Sequence, residues 1–471
     1  MKHTKIVATI SDQRCEVDFI RSLYEAGMNV VRLNTAHMNE EGLHRVVSNV
    51  RMVSGRIGIL IDTKGPEIRT TPCAAPIEFR TGDRVVMQGR PDGETTHECI
   101  CVSYPDFVKD LSADSDILID DGDLELKVIE KQAEQLICEV QNNATLGSRK
   151  SVNVPGVRIN LPSLTEKDRR NIEWAVANRL DFIAHSFVRS KEDVLDVQEI
   201  LDAHKSPIKI IAKIENQEGV DNIDEILKAT YGVMVARGDL GVEMPLEAVP
   251  LVQKRAIELA RRQAKPVIVA TQVLESMIQN PRPTRAEASD CANAILDGAD
   301  AVMLSGETSV GAYPIEAVRT MASIIENVEE HGGERIPGLG SYPQTRGGAL
   351  TRAAAEMGEH LDVTYLVTFT QSGDTARRLS RLRSPLPLLA FTPLRETRNQ
   401  LAVSWGVQCY EVPEVQHTDE MVAQVDEILQ DKHLAQPGDT VVIVAGMPPG
   451  TPGSTNSIRV HTVGETGDYK V

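Results

Sequence analysis

Short apolar runs alternate with longer segments of helical apolar spacing through most of this 471-residue chain. Such alternation is typical of parallel strands that are connected by helices. Thr165 with Asp168, and Thr284 after Pro283, are capping-type signals for helix starts. The predicted strands span 4–10, 28–34, 56–63, 181–187, 208–215, 232–239, 266–272 and 301–307. Eight strands alternating with eight helices predict an α/β fold, a (β/α)8 barrel of the TIM type.

Two other regions depart from this alternation of strands and helices. Residues 70–158 carry short alternating segments between Gly and Asp turns, which predicts an all-β lid domain inserted after the third strand. A Gly- and Pro-rich linker begins near 332, and a new α/β pattern follows it. We therefore assign 1–69 and 159–335 to the catalytic barrel, 70–158 to the lid and 347–471 to a C-terminal α/β domain. The predicted strands of that last domain are 363–369, 387–393 and 440–446.

Composition excludes several classes of partner. The net charge of −18 argues against nucleic acid and anionic membranes as general partners. No run approaches the roughly 18 apolar residues of a membrane span, and the seven cysteines lack the spacing of a zinc site or a disulfide framework. We therefore expect a soluble, cytoplasmic protein.

Charged and polar residues close the predicted barrel strands, where the chemistry of such barrels is located. They are Arg32, Asn34, His37, Asp62, Lys64, Glu67, Arg69, Lys213, Glu215, Arg237, Asp239, Thr271, Ser305 and Glu307. Residues two apart on a strand face the same side, so we expect three aligned pairs: Lys213 with Glu215, Arg237 with Asp239, and Arg32 with Asn34. One interpretation is a set of ion pairs that tie the loops together. Their repetition over consecutive strands favours a ligand site.

Glu215 and Asp239 are of the type that binds an octahedral Mg²⁺ or Mn²⁺ with open positions. Lys213 would add positive charge beside this metal. A phosphoryl group in transfer requires such charge. The residues therefore suggest metal-dependent phosphoryl transfer.

Several strings then resemble the pyruvate kinase family, in the order VVRLNTAH, IDTKGPEIRT, IIAKIENQEGV, VARGDLGVEMP, VIVATQVLESM and NPRPTRAEASDCANAILDGADAVMLSGET. The resemblance covers nearly the whole chain and includes the insertion after the third strand. It implies phosphoryl transfer from phosphoenolpyruvate to ADP, giving pyruvate and ATP in the last step of glycolysis. It also implies Mg²⁺ or Mn²⁺ and K⁺ as cofactors, and a homotetramer.

The resemblance assigns roles around the transferred group. Glu215 and Asp239 are implied as ligands of the divalent metal, and Lys213 as the residue that stabilises the phosphoryl group. Thr271 is implied beside the enolate carbon that receives a proton. The backbone amides of Gly238 and Asp239 are implied as the binding site of the substrate carboxylate.

Further contacts are implied for the phosphates and the nucleotide. Arg32 and Arg69 resemble the family's phosphate contacts, with Arg32 also counted among the catalytic residues. Lys150 resembles a nucleotide contact at the edge of the lid. Arg69, His37 and Asn34 complete the expected nucleotide set.

The implied K⁺ site consists of Asn34, Asp62 and Thr63, with Ala36 where many relatives have serine. Loss of that hydroxyl removes one oxygen ligand, whereas Glu67 is the residue type of K⁺-dependent relatives. We therefore expect K⁺ activation that is retained but weakened.

In the C-terminal domain, Thr370, Ser372 and Thr375 form a hydroxyl-rich loop before a predicted helix, which is a candidate site for a phosphorylated effector. N-capping is the alternative role. Asp374 would repel a phosphate, so a different effector, or none, stays open. His185 also departs from the small residue of relatives, and either a packed or hydrogen-bonded role or pH sensitivity near the nucleotide would explain it.

Two rival functions stay open. A metal-dependent lyase or aldolase acting on an enolpyruvate would not require ADP, and the lid with Lys150 argues against it. A ligand-binding paralogue without turnover is the second rival. Such proteins typically lose the metal carboxylates or the lysine, which are intact here.

Overall fold

A computed structural model describes residues 2–450 and 453–465 of the chain. Within these residues, eight parallel strands close into a barrel in which the first strand pairs with both the second and the eighth. The strands are Lys5–Thr9, Val30–Asn34, Gly58–Asp62, Phe182–His185, Lys209–Ile214, Gly232–Ala236, Val267–Ala270 and Ala301–Leu304. The predicted barrel and its strand order are confirmed.

Helices surround these strands. They are Val17–Glu25, Glu40–Val53, Glu166–Ala177, Lys191–Ala203, Gln217–Asp221, Ile223–Ala229, Arg237–Glu243, Val249–Arg262, Arg285–Leu296, Gly306–Ser309 and Pro314–Gly332, with short 3₁₀ turns at Leu246–Ala248, Glu275–Ile278 and Gly333–Arg335. One prediction is wrong here. The sixth strand ends at Ala236, and Arg237 and Asp239 lie on a helix, so they do not align as neighbours on one face of a strand. None of the helices in the described residues is long and apolar enough to cross a lipid bilayer.

Apolar side chains fill both sides of the barrel wall. Val7, Leu60, Phe182 and Met234 are buried inside the barrel, while the alternate residues of the strands, such as Ile183, pack beneath the helices. Burial of each such side chain stabilises the fold by about 1.5–3 kcal/mol. The apolar core therefore holds the strand ends, and the polar residues that follow them, in fixed positions.

The segment between the third and fourth barrel strands forms β-structure. Its strands are Ile77–Phe79, Arg84–Gln88, Cys99–Cys101, Asp116–Ile119, Leu124–Lys131, Leu136–Val140, Ala144–Leu146 and Val152–Asn153, and it contains one short helix, Phe107–Asp110. It has its own apolar core, which extends from Ile68 to Val154. The residue limits 70–158 stay a prediction.

The C-terminal region is a separate α/β domain. Its sheet, within the described residues, has the order Val407–Glu411, Leu388–Thr392, Tyr365–Phe369, Thr440–Gly446 and Thr455–Thr462, and the last strand is antiparallel. The helices Arg346–His360, Asp374–Ser380, Arg395–Gln400 and Thr418–Asp431 accompany it, and apolar clusters cover both faces of the sheet. The strands Val407–Glu411 and Thr455–Thr462 were not predicted. Residues 451, 452 and 466–471 of the predicted domain lie outside the described residues.

The C-terminal domain packs against the amino-terminal ends of the barrel strands. Val403, in the 3₁₀ turn Leu401–Val403, belongs to the same apolar cluster as Val7 and Phe182 inside the barrel. Lys5 Nζ donates to Val407 O at 2.9 Å, at the start of the first strand. The opposite, carboxyl-terminal end of the barrel faces the inserted β-segment.

Candidate active site

Arg32 and Asp62 form an ion pair at the carboxyl-terminal ends of the second and third strands. Arg32 Nε donates to Asp62 Oδ2 at 2.6 Å, and both side chains are largely buried. The second strand places Arg32 beside Leu60 of the third strand, and Asp62 follows two residues later on the same face of that strand. Thr9 Oγ1 accepts a further bond from Arg32 Nη1 at 3.2 Å. The guanidinium is thus fixed inside the barrel mouth.

Lys213 reaches the same point from the fifth strand. Its Nζ lies 2.7 Å from Glu215 Oε1, 3.4 Å from Asp62 Oδ1 and 3.0 Å from Ser186 Oγ. The expected alignment of Lys213 and Glu215 is therefore observed. Ser186 was not singled out in the sequence, because a serine after a strand resembles an ordinary turn residue.

Burial and charge shift the ionisation of this cluster. Burial disfavours the ammonium of Lys213, but Asp62, Glu215 and Asp239 outweigh burial and hold its pKa above the ordinary value. Burial also disfavours the charge of Asp62, yet Arg32 and Lys213 keep the pKa of that carboxyl below its ordinary value. For Glu215, burial raises the pKa of the carboxyl, and Lys213 opposes this shift. The lysine is therefore a stable positive charge.

Glu215 and Asp239 are the two carboxylates near Lys213 that could hold a divalent metal. Glu215 is fully buried and its Oε2 accepts from Phe187 N at 2.6 Å, whereas Asp239 borders the open cleft. No group of three or more His, Cys, Asp or Glu residues in the described chain could hold a metal ion alone. Two carboxylates, of which Asp239 borders the cleft, do fit Mg²⁺, which keeps several water or substrate ligands.

Arg237 and Glu307 have structural partners instead. Arg237 Nη1 pairs with Asp290 at 2.7 Å, and its Nη2 donates to Thr271 O at 2.9 Å. Glu307 is buried and accepts from Ser305 N and Leu274 N. The interpretation that ion pairs tie the loops together therefore holds for Arg237, whereas Glu307 holds its loop through backbone amides.

Thr271 directly follows the seventh strand in a left-handed conformation, with φ of 67°. Its Oγ1 accepts from Gly238 N at 2.7 Å and donates to Ala270 O at 2.7 Å. A left-handed backbone is costly for a β-branched residue, and such strain is concentrated at functional sites. Thr271 and Gly238 are thus in direct contact, and the Gly238 amide is hydrogen-bonded to the threonine hydroxyl.

Arg69 and Lys150 lie together at the base of the inserted segment. Arg69 Nη2 pairs with Glu67 at 2.6 Å, and Lys150 Nζ pairs with Asp120 at 2.6 Å. The hydrogen bond to Asp120 raises the pKa of Lys150. A nucleotide phosphate would therefore compete with these two carboxylates.

Asn34, Ala36 and His37 follow the second strand. Asn34 Oδ1 accepts from Ala36 N at 3.0 Å, and His37 is exposed. Asn34 lies beside Asp62 in the parallel register, and Thr63 follows directly. The structure therefore brings the expected K⁺ ligands to one edge of the site, and the backbone N of His37 donates to Asn34 O at 3.3 Å.

A cleft of about 330 Å³ separates the inserted segment from the barrel. Its wall includes Glu67, Asp121, Phe187 and Asp239. Across this boundary, Asn153 Nδ2 donates to Glu243 Oε1 at 2.7 Å. Glu243 lies on the same helix as Asp239. The cleft is large enough for a small phosphorylated ligand beside Asp239.

The hydroxyl-rich loop of the C-terminal domain lies far from this cleft in the fold. Thr370 Oγ1 accepts from Gly373 N at 2.9 Å, and Thr375 Oγ1 contacts Thr455 Oγ1 at 2.7 Å. The loop borders a cavity of about 70 Å³ whose wall also contains Ser372, Asp374 and Glu414. Among the described residues that line this cavity there is no lysine or arginine. The cavity therefore has little to attract a phosphate.

His185 is fully buried on the fourth strand. Neither ring nitrogen has a hydrogen-bond partner within residues 2–450 and 453–465. Burial lowers its pKa from the ordinary 6.5. His185 is therefore a packed residue whose ring is held by its apolar surroundings and its strand.

Comparison with known proteins identifies the family to which the chain is similar. Residues 1–318 match the family described as "Pyruvate kinase, barrel domain", and residues 348–461 match "Pyruvate kinase, alpha/beta domain". A relative named pyruvate kinase from Mycobacterium tuberculosis is 48% identical over 467 residues, covering 98% of each chain. Another from Borreliella burgdorferi is 46% identical over 451 residues, covering 95% of this chain and 94% of the relative. A crystal structure of a pyruvate kinase from Cryptosporidium parvum superposes with a TM-score of 0.92 at 34% identity, covering 98% of this chain and 96% of that one.

Proposed function

The chain belongs to the pyruvate kinase family and is a phosphotransferase of that type, and from this premise we propose which of its residues carry out the reaction. Its substrates are phosphoenolpyruvate and ADP, and its products are pyruvate and ATP. The observation that supports the assignment best is the buried Lys213 ammonium, which is surrounded by Glu215, Asp62 and Ser186 at the barrel mouth.

Lys213 is the residue that stabilises the phosphoryl group in transit. Its ammonium stays charged and is directed by buried partners, so it can offset negative charge without reorganising during the reaction. Glu215 and Asp239 would hold Mg²⁺ or Mn²⁺, which when bound supplies additional positive charge to the transferring group. Arg32, fixed by Asp62, contacts the substrate phosphate.

Three other groups complete the substrate site. The backbone amides of Gly238 and Asp239 bind the substrate carboxylate, for which the Gly238 amide has to share or release Thr271 Oγ1. Thr271 lies beside the enolate carbon that is protonated to give pyruvate. Arg69 and Lys150, with Asn34 and His37, bind the nucleotide, and for Arg69 and Lys150 this requires release from Glu67 and Asp120.

Several finer assignments belong to the same proposal. Asn34, Asp62 and Thr63 bind K⁺, weakly because Ala36 lacks a hydroxyl. Thr370, Ser372 and Thr375 form an effector site, although Asp374 and Glu414 in the cavity wall disfavour a phosphorylated molecule. The chain acts as a cytoplasmic homotetramer, with 1–69 and 159–335 as barrel, 70–158 as lid and 347–471 as C-terminal domain.

Pyruvate release from phosphoenolpyruvate tests the proposal, with ADP and Mg²⁺ each present or omitted. Turnover should require both, and it should fall moderately when tetramethylammonium replaces K⁺. Turnover without ADP would indicate a lyase instead, and no turnover in folded protein would indicate a paralogue that only binds ligands. Equal rates in K⁺ and tetramethylammonium would contradict the K⁺ site.

Lys213→Met should fold normally and lose turnover by about two orders of magnitude, because removal of one such stabiliser costs roughly 3 kcal/mol. Lys209→Met is the matched control, since Lys209 lies on the same strand at its opposite end. The control should keep the wild-type rate. A Lys213→Met variant within threefold of wild type would refute the role of Lys213.

A further inference from the structure

Ser186 connects three strand ends of the active site. It directly follows the fourth strand and is 2% exposed. Its Oγ lies 2.6 Å from Thr63 O, 3.1 Å from Asp62 Oδ1 and 3.0 Å from Lys213 Nζ, and its backbone N donates to Thr63 Oγ1 at 3.0 Å. The hydroxyl thus links the third strand to the lysine of the fifth.

The hydroxyl can donate one proton only. Thr63 O, at 2.6 Å, is its nearest acceptor, so a lone pair of Ser186 Oγ is left to face the Lys213 ammonium. Lys213 has three protons, and three acceptors surround it in the described chain: Glu215, Asp62 and Ser186. A phosphoryl oxygen therefore has to replace one of the two carboxylates, while Ser186 keeps its proton. Ser186 is the uncharged member of this set.

An uncharged acceptor has a particular advantage beside a phosphoryl group. A carboxylate that orients the ammonium also cancels part of its charge, and Glu215 is in addition assigned to the divalent metal. A hydroxyl fixed by Thr63 O orients the ammonium without such cancellation, and its own position is set by backbone. Fixed donors are effective because they do not have to reorganise when charge develops.

We propose that Ser186 is a positioning residue that directs the Lys213 ammonium toward the phosphoryl group during transfer. This inference rests on the proposed role of Lys213. It extends that role to a residue that does not itself contact the substrate. Because the interaction matters when charge moves, its loss should lower kcat and kcat/KM together and leave KM for phosphoenolpyruvate nearly unchanged.

Ser186→Ala removes the hydroxyl, and Ser186→Cys keeps a side chain of similar size with only a weak acceptor. Both should lose kcat at least about tenfold with KM within about threefold of wild type. Thr230→Val is the matched control. Thr230 is also buried, and its Oγ1 donates to Ile210 O at 2.7 Å near the amino-terminal end of the barrel, so its loss tests a buried hydroxyl away from Lys213.

Lys213→Met is assayed in parallel, so that the positioning role of Ser186 and the catalytic role of Lys213 are tested separately. Folded Ser186→Ala or Ser186→Cys with kcat within threefold of wild type, beside an inactive Lys213→Met, would overturn the role of Ser186 alone. The same holds if Thr230→Val loses kcat to an equal extent. An active Lys213→Met would instead overturn the underlying assignment. If Ser186→Ala does not fold, Ser186→Cys decides the question.

Discussion

His185 is buried with two ring nitrogens that lack partners among the described residues. It projects from the fourth strand on the same side as Ile183, toward the surrounding helices. A buried polar group left without a hydrogen bond costs about 1–3 kcal/mol. The site therefore carries a local destabilisation.

His185→Leu should raise the thermal midpoint of unfolding, because an apolar side chain of similar size replaces the unpaired ring. The expected gain in the free energy of unfolding is about 1–3 kcal/mol. His461→Leu is the control, since that buried histidine has a partner, Asp426, at 2.7 Å. The control should lower the midpoint. If both variants are destabilised equally, the ring nitrogens of His185 have partners in solution.

The same variant should show a pH dependence. Burial depresses the pKa of His185 in the folded state below its ordinary 6.5, so the unfolded chain binds a proton that the folded chain does not. Wild-type stability is therefore lost as the pH falls below 6.5. The advantage of His185→Leu should grow between pH 7 and pH 5, and thermal unfolding across that range measures it. A constant difference between the two proteins would argue against a depressed pKa.

The helix Glu166–Ala177 is joined to the third strand through its capping residues. Asp168 Oδ2 accepts from Thr165 N and Thr165 Oγ1, while Oδ1 accepts from Lys64 N at 2.9 Å. Asp168 is fully buried, so these bonds are shielded from water. One carboxylate thus closes the helix start and fixes the loop that leads to Glu67 and Arg69.

Thr165→Ala should cost about 1 kcal/mol of stability, as loss of an N-cap usually does, with little change in turnover. Asp168→Ala should cost about 1–3 kcal/mol more, because the partly buried Lys64 N–H loses its acceptor. It should also raise KM for ADP, since the loop carrying Arg69 loses its anchor. Thermal unfolding and steady-state kinetics of the two variants compare these effects. Equal losses in both variants would contradict the anchoring role of Asp168.

Among the strands and helices that carry the site, the sequence predicted some placements of side chains but not all of them. Lys213 and Glu215 align because they lie two apart where the strand is still extended. Arg237 and Asp239 have the same spacing, yet the backbone turns into a helix directly after Ala236, and no apolar pattern marks that change. Ser186 was missed because its partners, Thr63 and Lys213, come from distant parts of the chain.

The barrel and the C-terminal domain share a buried, charged junction. Arg383 Nη2 pairs with Asp300 Oδ2 at 3.1 Å, and the side chains are 3% and 6% exposed. Asp300 Oδ1 also accepts from Trp405 N at 3.0 Å. Removal of one member of a buried ion pair leaves a charge without compensation. The two domains are therefore expected to depend on each other for stability.

Arg383→Met should lower stability by about 3–5 kcal/mol because Asp300 is left charged and buried. Addition of Asp300→Asn should restore part of the loss. Arg352→Met, which breaks an exposed pair with Glu356, is the control and should change stability by less than about 1 kcal/mol. Thermal unfolding of the four proteins provides the comparison. An Arg383→Met effect no larger than the control would show that the junction does not couple the domains.

The sequence predicted the three-part organisation, because each part has its own periodicity. It did not predict how the parts join. Val403 reads as one of many apolar residues, and only the fold places it among side chains that are more than 100 positions away, such as Met234 and Phe182. Contacts of that sequence separation leave no local pattern.

Val403 has a practical consequence for protein engineering. Because this residue packs in the apolar cluster inside the barrel, a chimera that joins this barrel to the C-terminal domain of a relative would exchange part of the barrel core as well. A cut in the linker near residue 336 would therefore not yield two interchangeable modules. Donor domains for such exchanges should be selected by the side chain they present at this position, before regulatory properties are considered.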